Sequence, residues 1–391
     1  MKVVVLGGAG MMGRVVARIL VEKLDSDVVV ADYDLDAAKA VVEWIGSPGA
    51  TAQRVDVTDE GSLVDAIKGA GAVANAVTYY HNLRVMEACL KARVPYADLG
   101  GFFHGTRKQL ELNDRFAEAG VTAVLCIGSA PGITNVQAAL GAEGLTTVES
   151  VRIYDGSVPI EAEGVAWGYS LTTVIDEIVE QPFVYLDGEW VGQEPLGGLE
   201  QYAFRDPIGS QPVHLSLHSE VATIPVTFAA RGIREVFFKI NYFGLSPAII
   251  ERLKLLADLG LASMEPMEVG GVTVKPRDVT MAALSQLPAP PINVADTREE
   301  IVTEVRGSDG EGPVTLTVRT LSSPNVGWGL DAGAVATASP IAIVCAWMAS
   351  GELKAPGAHA PEAVVPARPL FKALREVSGL ETSVATERPL A

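Results

Sequence analysis

The chain has 391 residues, which is long for a single hydrophobic core and suits two domains. Apolar residues make up 48% of it and charged residues 20%, an ordinary composition for a globular protein. The formal net charge of -18 argues against nucleic acid or an anionic membrane as a partner, because both select basic surfaces.

The cysteines and the ends of the chain bear on its compartment. Cys89, Cys126 and Cys345 lie far apart in apolar segments, and the five histidines show no metal-ligand spacing. We therefore expect buried, inert thiols and no metal site. The first core strand opens the chain, which leaves no room for a signal peptide, and no apolar run approaches the ~18 residues of a membrane span. These features predict a cytoplasmic protein.

Residues 2–32 carry the strongest motif. An apolar strand runs into a glycine-rich turn, an amphipathic helix and a second apolar strand that ends in an acid. In such a unit Gly8 permits the tight turn, Gly10 lets the backbone approach a pyrophosphate, and Gly13 lets the helix pack on its strand. The pyrophosphate is expected at the helix N-terminus, beside Met11 and Met12. The pattern predicts a Rossmann-type dinucleotide site.

The acid after the second strand indicates which dinucleotide is bound. Asp32 lies about 20 residues beyond the glycine turn, where an acid accepts hydrogen bonds from a ribose diol. Asp32 and Asp34, with no Arg directly after the strand, would repel a 2′-phosphate, so we expect NAD rather than NADP. Short-chain dehydrogenases use a similar glycine spacing, but none of the nine tyrosines has the Lys four residues later that those enzymes need.

Later strands of the predicted parallel sheet also end near polar residues. The third strand ends at Asp56 and Val57, where an acid can border the adenine, although Asp56 could equally cap the next helix. The fourth strand ends at Asn75 and Ala76. Because ligands bind beyond the carboxyl ends of strands in open α/β sheets, we expect these residues to contact the cofactor.

The loops after the fourth, fifth and sixth strands are placed near the nicotinamide by the same rule. Tyr79 and Asn82 follow the fourth strand, and Asp98 ends the fifth. The turn after the sixth strand contains Gly132 and precedes a helix, where backbone donors suit a carboxylate or the nicotinamide carboxamide. An ordinary turn at a domain boundary is the alternative for this segment.

From residue 148 the pattern changes to period-two segments at 151–154, 236–242, 301–305 and 314–318. They predict an antiparallel sheet with one wet face, and helices are expected at 171–180, 247–257 and 277–287. A proline cluster at 288–291 predicts a surface loop. An apolar helix at 333–349 is expected to return to the first domain, and the tail after Thr382 is expected to be loosely ordered.

With these residues in view, the chain resembles the saccharopine dehydrogenase-like family. The supporting segments occur in family order over nearly the whole sequence, at residues 5–13, 31–34, 75–82, 98–101, 130–135, 274–279, 336–338 and 360–362. The resemblance implies a Rossmann domain at 1–135 and 331–391, an α+β substrate and dimerisation domain at 136–330, and a homodimer.

The resemblance also implies oxidation or reduction at a carbon–nitrogen bond of an amino acid. It is greatest to the lysine 6-dehydrogenases, in which the carbon of the ε-amine gives up hydride to NAD. Saccharopine reductases and carboxynorspermidine synthases run related imine reductions. Residues 158–170 differ from the Pro-Pro-rich run associated with lysine oxidation, so the sequence leaves the amine open between an amino acid and a polyamine precursor.

Loss of hydride from carbon requires a neutral amine, so a general base must take a proton. Tyr79 and Asp98 are candidates by position, and His218, Glu220 and Lys239 match polar positions of the family. Arg277 or Lys239 could hold a substrate carboxylate. Each has a structural alternative: Lys239 facing water, Arg277 serving a helix start, and Asp98 capping a turn.

A second class of function is a nucleotide-binding protein that has lost its chemistry and acts as a sensor or an assembly partner. Tyr79, Asn82 and Asp98 at the strand ends favour the enzyme, because a pure binder does not need them.

Overall fold

The computed structural model describes residues 1–159, 170–242, 245–287 and 292–389. The departure at 158–170 falls almost wholly on residues 160–169, and the proline cluster is residues 288–291, so both lie outside the described residues. The first sheet has seven parallel strands, in the order β17-β6-β5-β4-β1-β2-β3. They are β1 (Lys2–Leu6), β2 (Asp27–Asp32), β3 (Ala50–Arg54), β4 (Ala72–Asn75), β5 (Tyr96–Asp98), β6 (Thr122–Val124) and β17 (Gly357–His359).

Helices cover both faces of this sheet, because its central strands are apolar on both sides. One face packs against α1 (Met11–Glu22), α2 (Leu35–Ile45), α12 (Ala332–Ser350) and α14 (Ala367–Ser378). The other packs against α3 (Glu60–Ile67), α4 (Asn82–Ala92) and α6 (Asn113–Ala119). The Rossmann architecture expected from the glycine motif is confirmed.

The second sheet has nine strands, with β8 and β9 branching from the path β10-β11-β12-β7-β15-β16-β18. They are β7 (Thr147–Ser157), β8 (Phe183–Leu186), β9 (Glu189–Gly192), β10 (Glu200–Ala203), β11 (Ser210–Leu215), β12 (Glu235–Ile240), β15 (Glu299–Asp309), β16 (Gly312–Ser322) and β18 (Glu381–Glu387). A separate hairpin joins β13 (Met267–Val269) to β14 (Val272–Val274).

The prediction of a purely antiparallel sheet is wrong at one pair: β12 runs parallel to β7. The long connection between these strands contains a helix, as a parallel crossover requires. The expected wet face is also covered in the middle, where Tyr154 and Val302 are buried with Phe204, Ile208 and Val213.

The remaining helices are α5 (Phe102–Leu110), α7 (Ile133–Gly141), α8 (Leu171–Val179), α9 (Glu220–Thr227), α10 (Pro247–Asp258), α11 (Pro276–Leu284) and α13 (Pro361–Val364). Residues of α5, α7, α8, α9 and α10 form an apolar core with the second sheet. The α+β character expected for this half of the chain is confirmed, whereas the domain boundaries stay a prediction.

The C-terminal part of the chain serves both sheets. Helix α12 returns to the first sheet, as expected, and packs against α1, β1, β4 and β5. Its 19 residues, with a mean hydropathy of 1.7, would suffice by length and composition to cross a membrane, so the expectation of no such run is wrong. However, 78% of this stretch is buried inside the fold, the environment of a core helix. The tail expected to be loose instead forms β18, which pairs with β16.

Candidate active site

The turn between β1 and α1 needs glycine for both backbone conformation and space. The tight turn was assigned to Gly8, but the positive φ of 68° belongs to Gly7. A Cβ on Gly8 would lie 2.8 Å from Val30 Cγ1, so Gly8 instead allows the second strand to approach. A Cβ on Gly13 would lie 2.1 Å from the carbonyl oxygen of Gly7, which explains the close packing of α1 on the turn.

The N-terminus of α1 is suited to an anion. The helix follows Gly10, its first turn has no acidic residue, and no side chain caps it. The N–H groups at Met11, Met12 and Gly13 therefore point into the space above the turn, where the helix dipole favours a phosphate. The glycine cradle and this uncapped terminus fit a dinucleotide.

Asp32 ends β2 beside this turn. Its Oδ2 accepts a hydrogen bond from the backbone N–H of Ala9 (3.0 Å), and its Oδ1 accepts one from that of Asp34 (3.2 Å). Each carboxylate oxygen has a further lone pair. Asp32 therefore braces the glycine turn and retains capacity for a ribose hydroxyl.

The other predicted cofactor residues lie around the strand ends. Asp56 accepts hydrogen bonds from the backbone and hydroxyl of Thr58, and Asp59 instead caps α3. Asn75 donates to Asn82, and Asn82 donates to the carbonyl oxygen of Gly100, so this pair joins the loops after β4 and β5.

Gly132, before α7, has a φ of 132° and no room for a Cβ, which would lie 2.2 Å from the backbone of Gly128. The turn that contains it approaches the ligand space through Ala130 and Pro131. Direct cofactor contacts of Asp56, Val57, Asn75, Asn82 and Gly132 stay predictions.

A cavity of about 430 Å³ lies where the carboxyl ends of β1, β4 and β5 face the second sheet. This is the topological switch point of the first sheet, where ligands bind in such folds. Six of the predicted site residues line it, namely Gly10, Met11, Met12, Ala76, Tyr79 and His218. The other predicted residues are not among its lining residues.

His218 is the histidine at this cavity. Its ring stacks on Phe238 with 3.6 Å between centroids, its Nδ1 lies 2.8 Å from Glu220 Oε2, and its Nε2 lies 3.9 Å from Glu177 Oε1. Burial opposes the charged imidazole, but the carboxylates of Glu220 and Glu177 raise the pKa of His218 above its ordinary value. Glu220 does not line the cavity; its Oε1 accepts from Thr134 Oγ1. Glu220 therefore orients the His218 ring and favours its protonated form.

Asp98 is not at the cavity. It is 1% exposed, and its two oxygens accept four hydrogen bonds, from the backbone N–H groups of Gly100 and Cys126, the hydroxyl of Tyr96 and the amide of Gln109. The carboxylate is thus saturated inside the first sheet. The sequence predicted Asp98 as a candidate general base, with the capping of a turn as the alternative. Its hydrogen bonds in the structure favour the alternative.

Neither predicted cation reaches the cavity. Lys239 forms an ion pair with Glu200 (2.9 Å) and lies on the opposite side of β12 from Phe238 and Ile240, because side chains alternate along a strand. Arg277 forms a buried ion pair with Asp176 (2.6 Å) and donates to the carbonyl oxygen of Thr172.

Tyr79 connects the two sides of the cavity. Its hydroxyl donates to Asp176 Oδ2 in α8 (3.0 Å), and that of Tyr80 donates to the same oxygen (3.2 Å). Burial raises the pKa of Tyr79 well above its ordinary value, so the phenol stays a neutral donor. A loop of the first sheet is thereby tied to α8.

Two carboxylates that sequence reasoning missed, Asp155 of β7 and Glu177 of α8, also line the cavity. The sequence contained a signal for Asp155. It follows Val151 and Ile153 at every second position of the strand, so it lies on the same buried face. No Lys or Arg occurs among the described residues that line the cavity, and residues 160–169 contain none in their sequence. Within the described ranges, no group of three or more His, Cys, Asp or Glu side chains is placed to hold a metal.

Comparisons with known proteins point to one family. The family model described as the saccharopine dehydrogenase NADP binding domain matches residues 3–124, and that of the saccharopine dehydrogenase C-terminal domain matches residues 128–380. A saccharopine dehydrogenase (L-Glu forming) from Saccharomyces cerevisiae has the same fold, with a TM-score of 0.73 and 19% identity over 99% of this chain and 100% of that chain.

Two curated relatives are similar in sequence. A carboxyaminopropylagmatine dehydrogenase from Synechocystis sp. is 26% identical over 72% of each chain. A carboxynorspermidine synthase from Vibrio cholerae is 26% identical over 71% of each chain.

Proposed function

Because the chain belongs to the saccharopine dehydrogenase family, we propose that it is a nicotinamide-dependent oxidoreductase that reduces the imine formed between a carboxylated aldehyde and a cationic amine. The two relatives are named for enzymes of carboxylated polyamine derivatives, which supports this choice of substrate class. Membership of the family by itself implies that the protein is an NAD(P)-dependent enzyme that acts on an amino acid or an amine.

The observation that carries the proposal is the charge of the cavity. Asp155 and Glu177 line it beside His218, and its described lining residues include no Lys or Arg. A positively charged nitrogen is stabilised next to buried carboxylates. The acidic wall therefore favours an amine that enters as a cation.

We assign the proton transfer to His218. Bound nicotinamide dinucleotide supplies or accepts the hydride at the substrate carbon. When hydride adds to the imine carbon, the electron pair of the C=N bond takes a proton from Nε2 of His218, and the reverse reaction returns it. Glu220 holds the other ring nitrogen and stabilises the imidazolium, so the proton stays on His218 until the nitrogen needs it.

We propose NAD as the cofactor, on the strength of Asp32, although the matching family model is described as NADP binding. Arg54 lies opposite Asp32 in the register of β2 and β3, and it is the cation that could hold a 2′-phosphate. Replacing Asp32 by Asn is expected to raise the ratio of NADP to NAD kcat/KM on the order of tenfold, or about 1.4 kcal/mol.

The matched variant for this test is Arg54→Ala, with kcat/KM measured for both cofactors. It should leave the use of NAD unchanged. A wild-type preference for NADP that Arg54→Ala abolishes would contradict the assignment to NAD.

Oxidation of L-lysine at its ε-amine is the second candidate. The same carboxylates favour it, because the ε-ammonium is a cation on an apolar stem. The homodimer and the cytoplasmic location expected from the sequence stay predictions.

A cofactor-turnover screen tests these alternatives. Reduced cofactor would be followed by absorbance with an amino-acid aldehyde, with a diamine, and with both together. Oxidation only when both are present supports imine reduction, and reduction of NAD by lysine alone supports the second candidate. Cofactor binding without turnover in any arm would favour the non-catalytic sensor.

A further inference from the structure

Asp155 has a property that the reaction above does not use. Its side chain lines the cavity and is only 3% exposed, yet its Oδ1 makes no hydrogen bond within the described residues. A buried carboxylate oxygen without a partner destabilises the fold unless a ligand supplies one. The backbone of Asp155 is fixed on both sides, because Asp155 pairs with Ile240 on one neighbouring strand and with Ile301 on the other.

A second carboxylate with an unsatisfied oxygen stands beside it. Glu299 lies on the adjacent strand β15, opposite Ser157, and therefore on the same sheet face as Asp155. Its Oε1 accepts from the hydroxyl of Ser129 (2.7 Å), while its Oε2 makes no hydrogen bond within the described residues, and its side chain is 3% exposed.

The carboxylates facing Asp155 come from three elements: Glu299 from β15, Glu177 from α8 and Glu220 from α9, with His218 next to the last two. Burial, followed by these negative charges, raises the pKa of Asp155 well above its ordinary value. Burial also raises the pKa of Glu299 to about 7. Both shifts favour the protonated carboxyl groups, whereas a bound ammonium would favour their ionised forms.

The chemistry of the surroundings selects an organic cation. In the described ranges no cluster is arranged for a metal, and the cavity that Asp155 lines is also lined by the apolar residues Ile240, Leu99 and Phe102. A primary ammonium brings three donors for the unsatisfied oxygens, and its methylene chain packs on such walls.

We propose that Asp155, backed by Glu299, is an ammonium subsite that binds the distal amine of a diamine-derived substrate while the other nitrogen reacts. This subsite rests on the proposed function, because it assigns one end of the substrate of that reaction. It makes the enzyme selective for α,ω-diamines over monoamines of the same chain length.

Calorimetric titration of the full-length protein, saturated with NAD, tests the subsite without turnover. Diaminopropane and propylamine are compared in the wild type and in Asp155→Asn. The wild type is expected to bind the diamine at least about tenfold more tightly, and the variant to lose that preference. The diamine should also release protons on binding, seen as a heat that depends on the buffer, because Asp155 ionises.

Asp187→Asn is the matched control, because it removes one negative charge from an exposed ion pair with Arg234. It should keep the diamine preference. Asp155→Asn is expected to leave the thermal midpoint unchanged or raise it, since it replaces a buried carboxyl group whose Oδ1 makes no hydrogen bond within the described residues. A lowered midpoint together with a retained preference would make Asp155 structural and overturn the proposal.

Glu299→Gln serves as the second variant and should weaken the preference without abolishing it. Equal binding of diamine and monoamine by the wild type overturns the subsite whatever the variants do. That failure is distinct from failure of the proposed function, which is read from cofactor turnover with aldehyde and amine.

Discussion

The first and second sheets each bury an aspartate, Asp98 on β5 and Asp155 on β7, and the two differ in their partners. Asp98 receives four hydrogen bonds, from β5, from α5 and from the backbone just beyond β5 and β6. Asp155 Oδ1 makes no hydrogen bond within the part of the chain that the structure describes, and other carboxylates lie near its side chain. A buried acid whose hydrogen bonds are complete holds the fold together, whereas one that lacks a partner is positioned for a ligand. Burial alone does not separate the two roles.

The largest effect is expected from Asp98→Asn. An amide replaces an acceptor by a donor, so at least one of the groups that now donate to Asp98 loses its partner inside the sheet. We expect the free energy of unfolding in urea to fall by about 3–5 kcal/mol, the size of a broken buried charged network. The matched variant is Asp155→Asn. If Asp98→Asn lowers the free energy of unfolding no more than Asp155→Asn does, the distinction between the two regions is wrong.

A smaller effect is expected from the pH dependence of stability. Glu299 has a folded-state pKa of about 7 against an ordinary 4.5, so the folded protein binds the proton more tightly than the unfolded chain. The bound proton stabilises the fold fully below about pH 4.5, and this stabilisation is lost as the pH rises through about 7. The free energy of unfolding is expected to fall by roughly 1–3 kcal/mol over this range. Glu299→Gln should flatten that part of the curve in denaturation series at several pH values. Parallel curves for the two proteins would mean that Glu299 is paired in solution.

The smallest effect is expected from Tyr79→Phe, at the contact that joins the two regions. The variant loses one hydrogen bond to Asp176, while Tyr80 keeps the other. The contact between this loop and α8 is therefore expected to weaken by about 1 kcal/mol. We expect KM for the amine to rise several-fold with little change in kcat, measured by steady-state kinetics. Tyr80→Phe is the control for the shared oxygen. A large fall in kcat with KM unchanged would instead make Tyr79 a participant in the chemistry.

The sequence was most informative where the site is local in the chain. The glycine turn, the N-terminus of α1 and Asp32 lie within one strand–helix–strand unit, so spacing alone predicted them. Even there the positive φ fell on Gly7 rather than Gly8, because both fit the same spacing.

Residues contributed by distant elements were harder to predict. Asp155, Glu177 and Glu299 come from β7, α8 and β15. Asp155 and Glu177 line one cavity, and the sheet register places Glu299 on the same face as Asp155. Lys239 was misplaced for a related reason. The phase of β12, fixed by its neighbouring strands, turns Lys239 away from the cavity and towards Glu200. An acid in the buried phase of an alternating strand, as at Asp155, was the one usable local signal.

Helix α12 and strand β17 have a consequence for how the protein is made. The apolar face of the first sheet that contacts α1 is completed by α12, and the sheet gains its outermost strand only at Gly357–His359. During synthesis the first 330 residues leave the ribosome before either element exists, so the nascent chain exposes this face for most of translation. Contacts of such long sequence separation slow folding and favour partly folded intermediates. The first sheet therefore cannot be completed until α12 and β17 have been made.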